Sequence, residues 1–238
     1  MADMKALAII PARGGSKRLP RKNLALVGGL PLVCHSIRAA LGAGATPHVS
    51  TEDDEIARVA AAHGAIVCAR PIALAQDRTT TEAVITDWWR RLPKDERPDA
   101  IVLLQPSTLI LGDASAVVRD MLHALAATGA DSVVAVTVDE HEAFAGRIYP
   151  REGGVGDWRP HRPAGSRPRT QDIRWQAREE GAAYAFTAQH WATKGDRMGG
   201  AMKAYPMPRH SVVDIDTERD LVAARALYDA MSTVARTA

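Results

Sequence analysis

Apolar positions along the chain follow two alternating rhythms. Ala6 to Ile10 is an unbroken apolar run closed by Pro11, which predicts a strand buried on both faces of a parallel sheet. After a polar stretch at 12–23 and the Gly28-Gly29 turn, Pro31 opens a segment with Leu32, Ile37, Ala40 and Leu41 at helical spacing. The alternation repeats with a short strand at 48–50, a helix from Asp53 to His63 stopped by Gly64, and a strand from Ala65 to Ala69. Thr79–Leu92 predicts a helix, Ala100–Leu104 a buried strand, Asp113–Ala127 an amphipathic helix ended near Gly129, and Ser132–Val138 a β-branched strand. Strands alternating with helices connect by right-handed crossovers, so a three-layer α/β fold around a mostly parallel sheet is expected.

The rhythm fails between Asp139 and Glu180. Gly153, Gly154, Gly156, Pro150, Pro160, Pro163 and Pro168 interrupt any long helix there. Segment 139–180 is therefore expected to be an inserted arm or small dimerisation subdomain, splitting the α/β domain into 1–138 and 181–238. The chain then returns with a strand at Ala182–Thr187, short runs at Ala204–Pro208 and Val212–Ile215, and a closing helix from Thr217 to Met231.

Composition narrows the function classes. With 46% hydrophobic residues in 238, the chain can bury a sizeable core, and disorder is excluded as its main state. A formal charge of +2 gives no bulk attraction to nucleic acid or a membrane surface, so neither is an expected partner. Cys34 and Cys68 lack the spacing of a disulfide framework or zinc site, and no apolar run suits a signal or a membrane span. The expectation is a cytoplasmic protein. Trp88 and Trp89, beside Arg90 and Arg91 on a helix, read as packing residues rather than a stacking platform.

The near-zero sum hides two cationic segments. Arg13, Lys17, Arg18, Arg21 and Lys22 fall within 13–22 with no acid among them, and six arginines fall within 159–178 against Asp172 alone. The first segment directly follows the first strand, the usual place for a phosphate loop in a parallel sheet. Gly14 and Gly15 let backbone N–H groups approach an anion, while Arg13, Lys17 and Lys22 can neutralise a polyphosphate. Neither G-x-x-x-x-G-K-[ST] nor G-x-G-x-x-G is present, which removes the specific support for P-loop and dinucleotide readings. Late in the chain, Asp214 and Asp216 flank one apolar residue at a strand end, so they share a face and suit Mg²⁺. Asp216 is equally placed to cap the closing helix ahead of Thr217, and the pattern leaves both roles open.

Ile9-Ile10-Pro11-Ala12-Arg13-Gly14-Gly15-Ser16-Lys17, followed by Leu19-Pro20 and Lys22-Asn23-Leu24, resembles the N-terminal signature of the acylneuraminate cytidylyltransferases, the CMP-sialic acid synthetases. The resemblance continues through Val49-Ser50-Thr51-Glu52, Arg70-Pro71 with Leu74-Ala75 and Asp77, Leu103-Leu104-Gln105-Pro106, and Gly181-Ala182 with Tyr184. It ends on Asp214-Ile215-Asp216-Thr217-Glu218 with Asp220-Leu221, so it spans nearly the whole chain. Glu52 stands where that family has Asp, and Ser107 to Leu111 replaces its T-S-P-L-R.

The resemblance implies a Rossmann-like nucleotidyltransferase fold and transfer of CMP from CTP to a sialic-acid-like nonulosonic acid, with release of pyrophosphate and with Mg²⁺ as cofactor. It implies catalytic roles for Arg13, Lys22 and Asp216, and nucleotide contacts from Ala12, Arg13, Gly14, Lys17, Lys22, Asn23, Arg70 and Thr81. Gln105, Arg169, Gln171, Arg178 and Tyr184 are implied on the acceptor side, Asp214 and Asp216 as metal ligands, and a homodimer as the assembly. The departures cluster on the acceptor side. Transfer of the CMP-Kdo or phosphonate type therefore stands as the alternative acceptor chemistry, and a catalytically inactive nucleotide-binding module as the alternative outside enzymes.

Overall fold

The computed structural model describes residues 4–139, 148–150, 158–160, 176–208 and 210–237. The first apolar run forms β1 (Ala6–Pro11), and alternation sends its side chains to opposite faces. Ala6, Ala8 and Ile10 join one core cluster, while Leu7 and Ile9 join another. A hairpin of β2 (Leu26–Val27) and β3 (Leu30–Pro31) follows, turned by Gly28 and Gly29 at φ 56° and 75°. A Cβ on Gly28 would also sit 2.6 Å from Cδ1 of the Tyr228 ring and closer still to Cε1, so both conformation and close approach require glycine there.

The remaining elements follow as α1 (Leu32–Gly42), β4 (Thr46–Thr51), α2 (Asp54–Ala62), β5 (Ile66–Ala69), α3 (Thr81–Arg91), β6 (Ala100–Leu104), β7 (Thr108–Ile110), α4 (Ala114–Thr128) and β8 (Ser132–Asp139). After β9 (Ile148–Pro150) and β10 (Trp158–Pro160) come β11 (Gln176–Thr187), α5 (Ala188–Lys194), β12 (Met202–Met207), β13 (Val212–Asp214) and α6 (Glu218–Thr237). Among the described residues a seven-stranded sheet runs β5-β4-β1-β6-β11-β8-β12. β1 pairs in parallel with both β4 and β6, and β8 with β12; β11 lies antiparallel between β6 and β8. The sheet is therefore mostly parallel, as expected, with one reversed strand, β11, in its interior.

Three clusters hold the layers. On one face α1, α2 and α4 bury Val33, Ile37, Ile56, Met121 and Leu125 against the sheet. On the other, Ile85 and Trp88 of α3 and Trp191 of α5 cover Ile9, Leu103, Tyr184 and Phe186. Each fully buried side chain of this size contributes about 1.5–3 kcal/mol. Trp88 donates its indole N–H to Nδ1 of His48 at 3.0 Å, and Arg97 stacks on Trp89 at 4.3 Å, which places both tryptophans in structural contacts. A third cluster joins Leu19, Val27, Leu109, Ile215 and Leu221, and so ties the first loop to the start of α6.

Two readings change. β11 begins at Gln176 rather than Ala182, and Gln176 pairs with Asp139, so the main sheet reaches both ends of the irregular segment. β9 and β10 pair with each other in a separate antiparallel ribbon, and the rest of the expected arm lies outside the described residues. Val212–Asp214 pairs with β7 instead of joining the main sheet.

Candidate active site

Chain direction creates the crevice. From β1 the chain crosses to β4 and β5 on one side, then returns to β6 on the other, so the carboxyl ends of β1 and β6 border a topological switch point. Pro11 and Arg13 leave β1 there, and Gln105, Pro106 and Ser107 leave β6. Between them lies a cavity of about 500 Å³, also lined by Lys17, Arg18, Lys22, Asn23, Arg70, Asp77, Thr80, Thr81 and Asp216.

The loop from Ala12 to Leu24 is held at several points. Ala12 donates its N–H to the Ser50 carbonyl at 2.9 Å and is fully buried, so it anchors the loop without lining the cavity. Gly14 N–H donates to Oε1 of Glu52 at 2.8 Å, which engages that amide with protein rather than leaving it to the cavity. Buried Asn23 donates Nδ2–H to the Arg13 carbonyl at 2.8 Å, closing the loop across ten residues. Leu19 is buried in the third cluster. Arg21 takes a left-handed conformation at φ 57°, and its guanidinium pairs with Asp53 at 2.7 Å and with Glu55. The anchored loop turns four cations toward one space.

Each of those cations meets a carboxylate. Arg13 pairs with Asp77 at 2.9 Å, and Lys17 pairs with the other oxygen of the same group. Lys22 reaches Oδ1 of Asp216 at 3.0 Å, and Arg18 reaches Oδ2 at 2.7 Å. Lys17 and Arg13 hold the Asp77 carboxyl below its ordinary value, first through their hydrogen bonds and then through their charge. Arg70, almost fully buried, donates to the Ser50 hydroxyl at 3.1 Å and carbonyl at 2.6 Å; burial lowers its pKa, and Glu52 opposes that shift.

The two open roles of Asp216 separate here. Thr217 caps the closing helix: its hydroxyl accepts from Asp220 N–H at 3.3 Å, while the Asp220 carboxylate accepts from the N–H groups of Asp216 and Thr217 at 3.1 and 2.8 Å. Asp216 is thereby left to Lys22 and Arg18 in the cavity. Asp214 lies one residue beyond buried Ile215, accepts from the Thr108 hydroxyl at 3.4 Å, and does not line the cavity. Loss of solvent and then the neighbouring Asp216 charge raise its pKa, which puts the two carboxylates in electrostatic reach of each other. Two such oxygen donors fit Mg²⁺, which uses one or two carboxylates and fills its other positions with water and phosphate. No group of three or more metal-ligating side chains converges among the described residues.

The acceptor-side residues are less gathered. Gln105 lines the cavity. Tyr184 is buried on the α3 side of the sheet, where its hydroxyl donates to Glu179, Arg197 stacks on its ring at 4.7 Å, and burial raises its pKa to about 12. Arg178 is 54% exposed and lies 3.6 Å from Glu180, while Arg169 and Gln171 lie outside the described residues. Arg18, Ser107 and Thr80 also line the cavity, although the sequence assigns them no site role; Arg18, within the acid-free run, carries the clearest signal of the three.

A cavity at the switch point of a mostly parallel sheet, walled by five cations and two carboxylates but lacking both standard glycine loops, defines a nucleotidyltransferase-type enzyme. The profile described as "Cytidylyltransferase" matches residues 7–144, and the chain belongs to that family. Pseudaminic acid cytidylyltransferase of Campylobacter jejuni is 30% identical over 94% of this chain and 97% of its own. N-acylneuraminate cytidylyltransferase A of Danio rerio is 31% identical over 90% of this chain, which spans 48% of that longer protein. A solved CMP:2-keto-3-deoxy-manno-octonic acid synthetase complexed with CTP superposes with a TM-score of 0.69 at 18% identity, covering 95% of this chain and 99% of that one, and so shares the fold. No helix among the described residues is long and apolar enough to cross a membrane.

Proposed function

We propose that this enzyme transfers CMP from CTP to the anomeric hydroxyl of a sialic-acid-like nonulosonic acid and releases pyrophosphate. The observation that carries the reading is the switch-point cavity, where Arg13, Lys17, Arg18 and Lys22 face one volume together with Gln105 and Asp216. A triphosphate carries about four negative charges, and four convergent cations match it. Its relatives' names point to nine-carbon acidic sugars, and the match to the Campylobacter protein extends over nearly both whole chains.

In this transfer the bond from the anomeric oxygen to the α-phosphorus forms as the bond from that phosphorus to the bridging oxygen breaks, pyrophosphate takes the electron pair, and the hydroxyl proton is released to water. The protein's work is positioning and charge neutralisation. Asn23 fixes the Arg13 backbone, so the guanidinium is presented from a rigid loop. Lys22, only 15% exposed at its side chain, acts where water screens least. Gln105, at the end of β6, offers both a donor and an acceptor to the sugar acid. Mg²⁺ held by Asp214 and Asp216 would supply Lewis-acid neutralisation of the phosphates. A cytoplasmic homodimer is part of the same reading, with residues 139–180 as its contact.

Pyrophosphate release tests the assignment. Purified protein with CTP and Mg²⁺ is given N-acetylneuraminate, pseudaminate, N,N′-diacetyllegionaminate, Kdo or 2-aminoethylphosphonate. Turnover with one of the first three, abolished by a chelator and restored by Mg²⁺, is expected. Turnover with Kdo or the phosphonate alone overturns the acceptor class, and tight CTP binding with no turnover on any of the five overturns the enzyme reading. Light scattering on the same sample reads the dimer.

A further inference from the structure

The four cavity-facing cations of the phosphate loop share two carboxylates of the protein itself, and these two differ in kind. Asp216, 30% exposed at its side chain, pairs with Lys22 and Arg18 and is assigned to the reaction. Asp77 is 44% exposed at its side chain and bridges Arg13 and Lys17 at the cavity wall. It comes from a short segment between the 3-10 turn Ile72–Leu74 and the Thr80 cap of α3. That segment is closed locally, by Thr79 N–H to the Gln76 carbonyl at 3.1 Å and by the Gln76 amide to the Ile72 carbonyl at 2.9 Å. Its contacts to the phosphate loop are the Arg13 and Lys17 pairs and a marginal 3.5 Å bond from Arg13 to the Ala75 carbonyl.

We propose that Asp77 is a placeholder anion, holding Arg13 and Lys17 in the polyphosphate seat and leaving that seat when a polyphosphate enters. The idea rests on the cavity being the triphosphate site. A carboxylate and a phosphate cannot both sit between the same two cations, and like charges so close repel strongly. Every polyphosphate must therefore break the two Asp77 pairs before it binds. The cost is common to CTP and to pyrophosphate, but CTP has base and ribose contacts to offset it, whereas pyrophosphate has none. Asp77 thus weakens retention of the released product and keeps the empty cation cluster from self-repulsion.

The opposite reading is that Asp77 merely steadies Arg13 for the ligand, and the two predict opposite signs. Calorimetric dissociation constants for CTP, pyrophosphate, inorganic tripolyphosphate and cytidine are to be compared between wild type, Asp77→Asn and Asp77→Ala, with unfolding temperature confirming that each variant folds. Loss of two exposed ion pairs corresponds to roughly 2- to 30-fold tighter binding of all three polyphosphates at low salt. The gap should close as salt screens the pairs, and cytidine should be unaffected. Equal or weaker polyphosphate binding in both folded variants overturns the placeholder. The two inferences fail separately: tripolyphosphate tightening without any CTP binding sinks the nucleotide assignment alone, and CTP turnover without tightening sinks the placeholder alone.

Discussion

Gly14→Ala offers a graded test of how the phosphate loop is seated. A Cβ at this position would lie 2.9 Å from both Cβ and Cγ of Asp53, and closer still to Oδ2. Asp53 cannot move aside freely, because Oδ1 accepts from the N–H groups of Glu55 and Ile56 at 3.0 and 2.9 Å as the cap of α2. Oδ2 meanwhile holds Arg21 at 2.7 Å. Displacing the side chain therefore forfeits a helix cap, about 1 kcal/mol, and an exposed ion pair worth up to about 1 kcal/mol. In a domain of this length that is a fall of about 2–8 °C in unfolding temperature. If the Asp53 side chain is the obstacle, removing all of it should absorb most of the cost, so Gly14→Ala on an Asp53→Gly background should add less than about 0.5 kcal/mol. Differential scanning fluorimetry of the four-member cycle reads the coupling directly. Strict additivity would refute the argument, since it would mean that the methyl group is accommodated without touching the cap. CTP affinity measured on the same proteins links seating to function, because the N–H of Gly14 is bonded to Glu52 and a displaced loop must release it.

Lys22→Ala should lower turnover by at least about 10²-fold while leaving the unfolding temperature within about 2 °C, because Arg18 still pairs with Asp216; a steady-state assay with acceptor in excess checks it. Asn23→Ala leaves the Arg13 carbonyl without its buried donor, so a loss of about 1–3 kcal/mol in urea unfolding and a raised KM for CTP are expected together. Burial alone would raise the Asp53 carboxyl, but the N–H of Ile56, the Arg21 guanidinium and the N–H of Glu55 outweigh it and hold the pKa below the ordinary value. A depressed folded pKa means that the stabilisation is whole above the unfolded value, near 4, and is lost as pH falls through the folded one. Unfolding temperatures from pH 7 to pH 3 should therefore drop less steeply for Asp53→Asn than for wild type.

What the sequence made legible follows from which signals are local. β1, the cation loop behind it and the start of α2 at Asp53 each announce themselves within a few residues, and each stands where it was expected. Strand direction is not local. Ala182–Thr187 has the apolar run of any buried strand, and nothing in it records that β11 enters the sheet antiparallel between β6 and β8. Its first half was invisible for another reason: Gln176 to Gly181 is polar, and it is extended through pairing with β8 rather than through its own pattern. Tyr184 shows the same limit for a side chain. The resemblance implies an acceptor contact for it, and nothing in its own run records that alternation turns it to the α3 face, where it donates to Glu179 and Arg197 stacks on its ring.

The Asp-Ile-Asp-Thr segment shows how neighbouring polar residues divide their work. Asp and Thr are both good helix caps, so the pattern alone cannot say which of Asp216 and Thr217 performs that task. The deciding residue is Asp220, three positions beyond Thr217, which closes a reciprocal pair with it and also takes the N–H of Asp216. With the helix end satisfied, both oxygens of Asp216 are available to Lys22 and Arg18, nearly two hundred residues earlier in the chain. Ile215, fully buried between the two aspartates, sets the point at which they leave the third cluster. The same cluster holds Leu19 of the cation loop. One small apolar core therefore fixes the distance between the carboxylate and the cations, and a substitution such as Leu221→Ala should disturb the site through that core although Leu221 does not itself line the cavity.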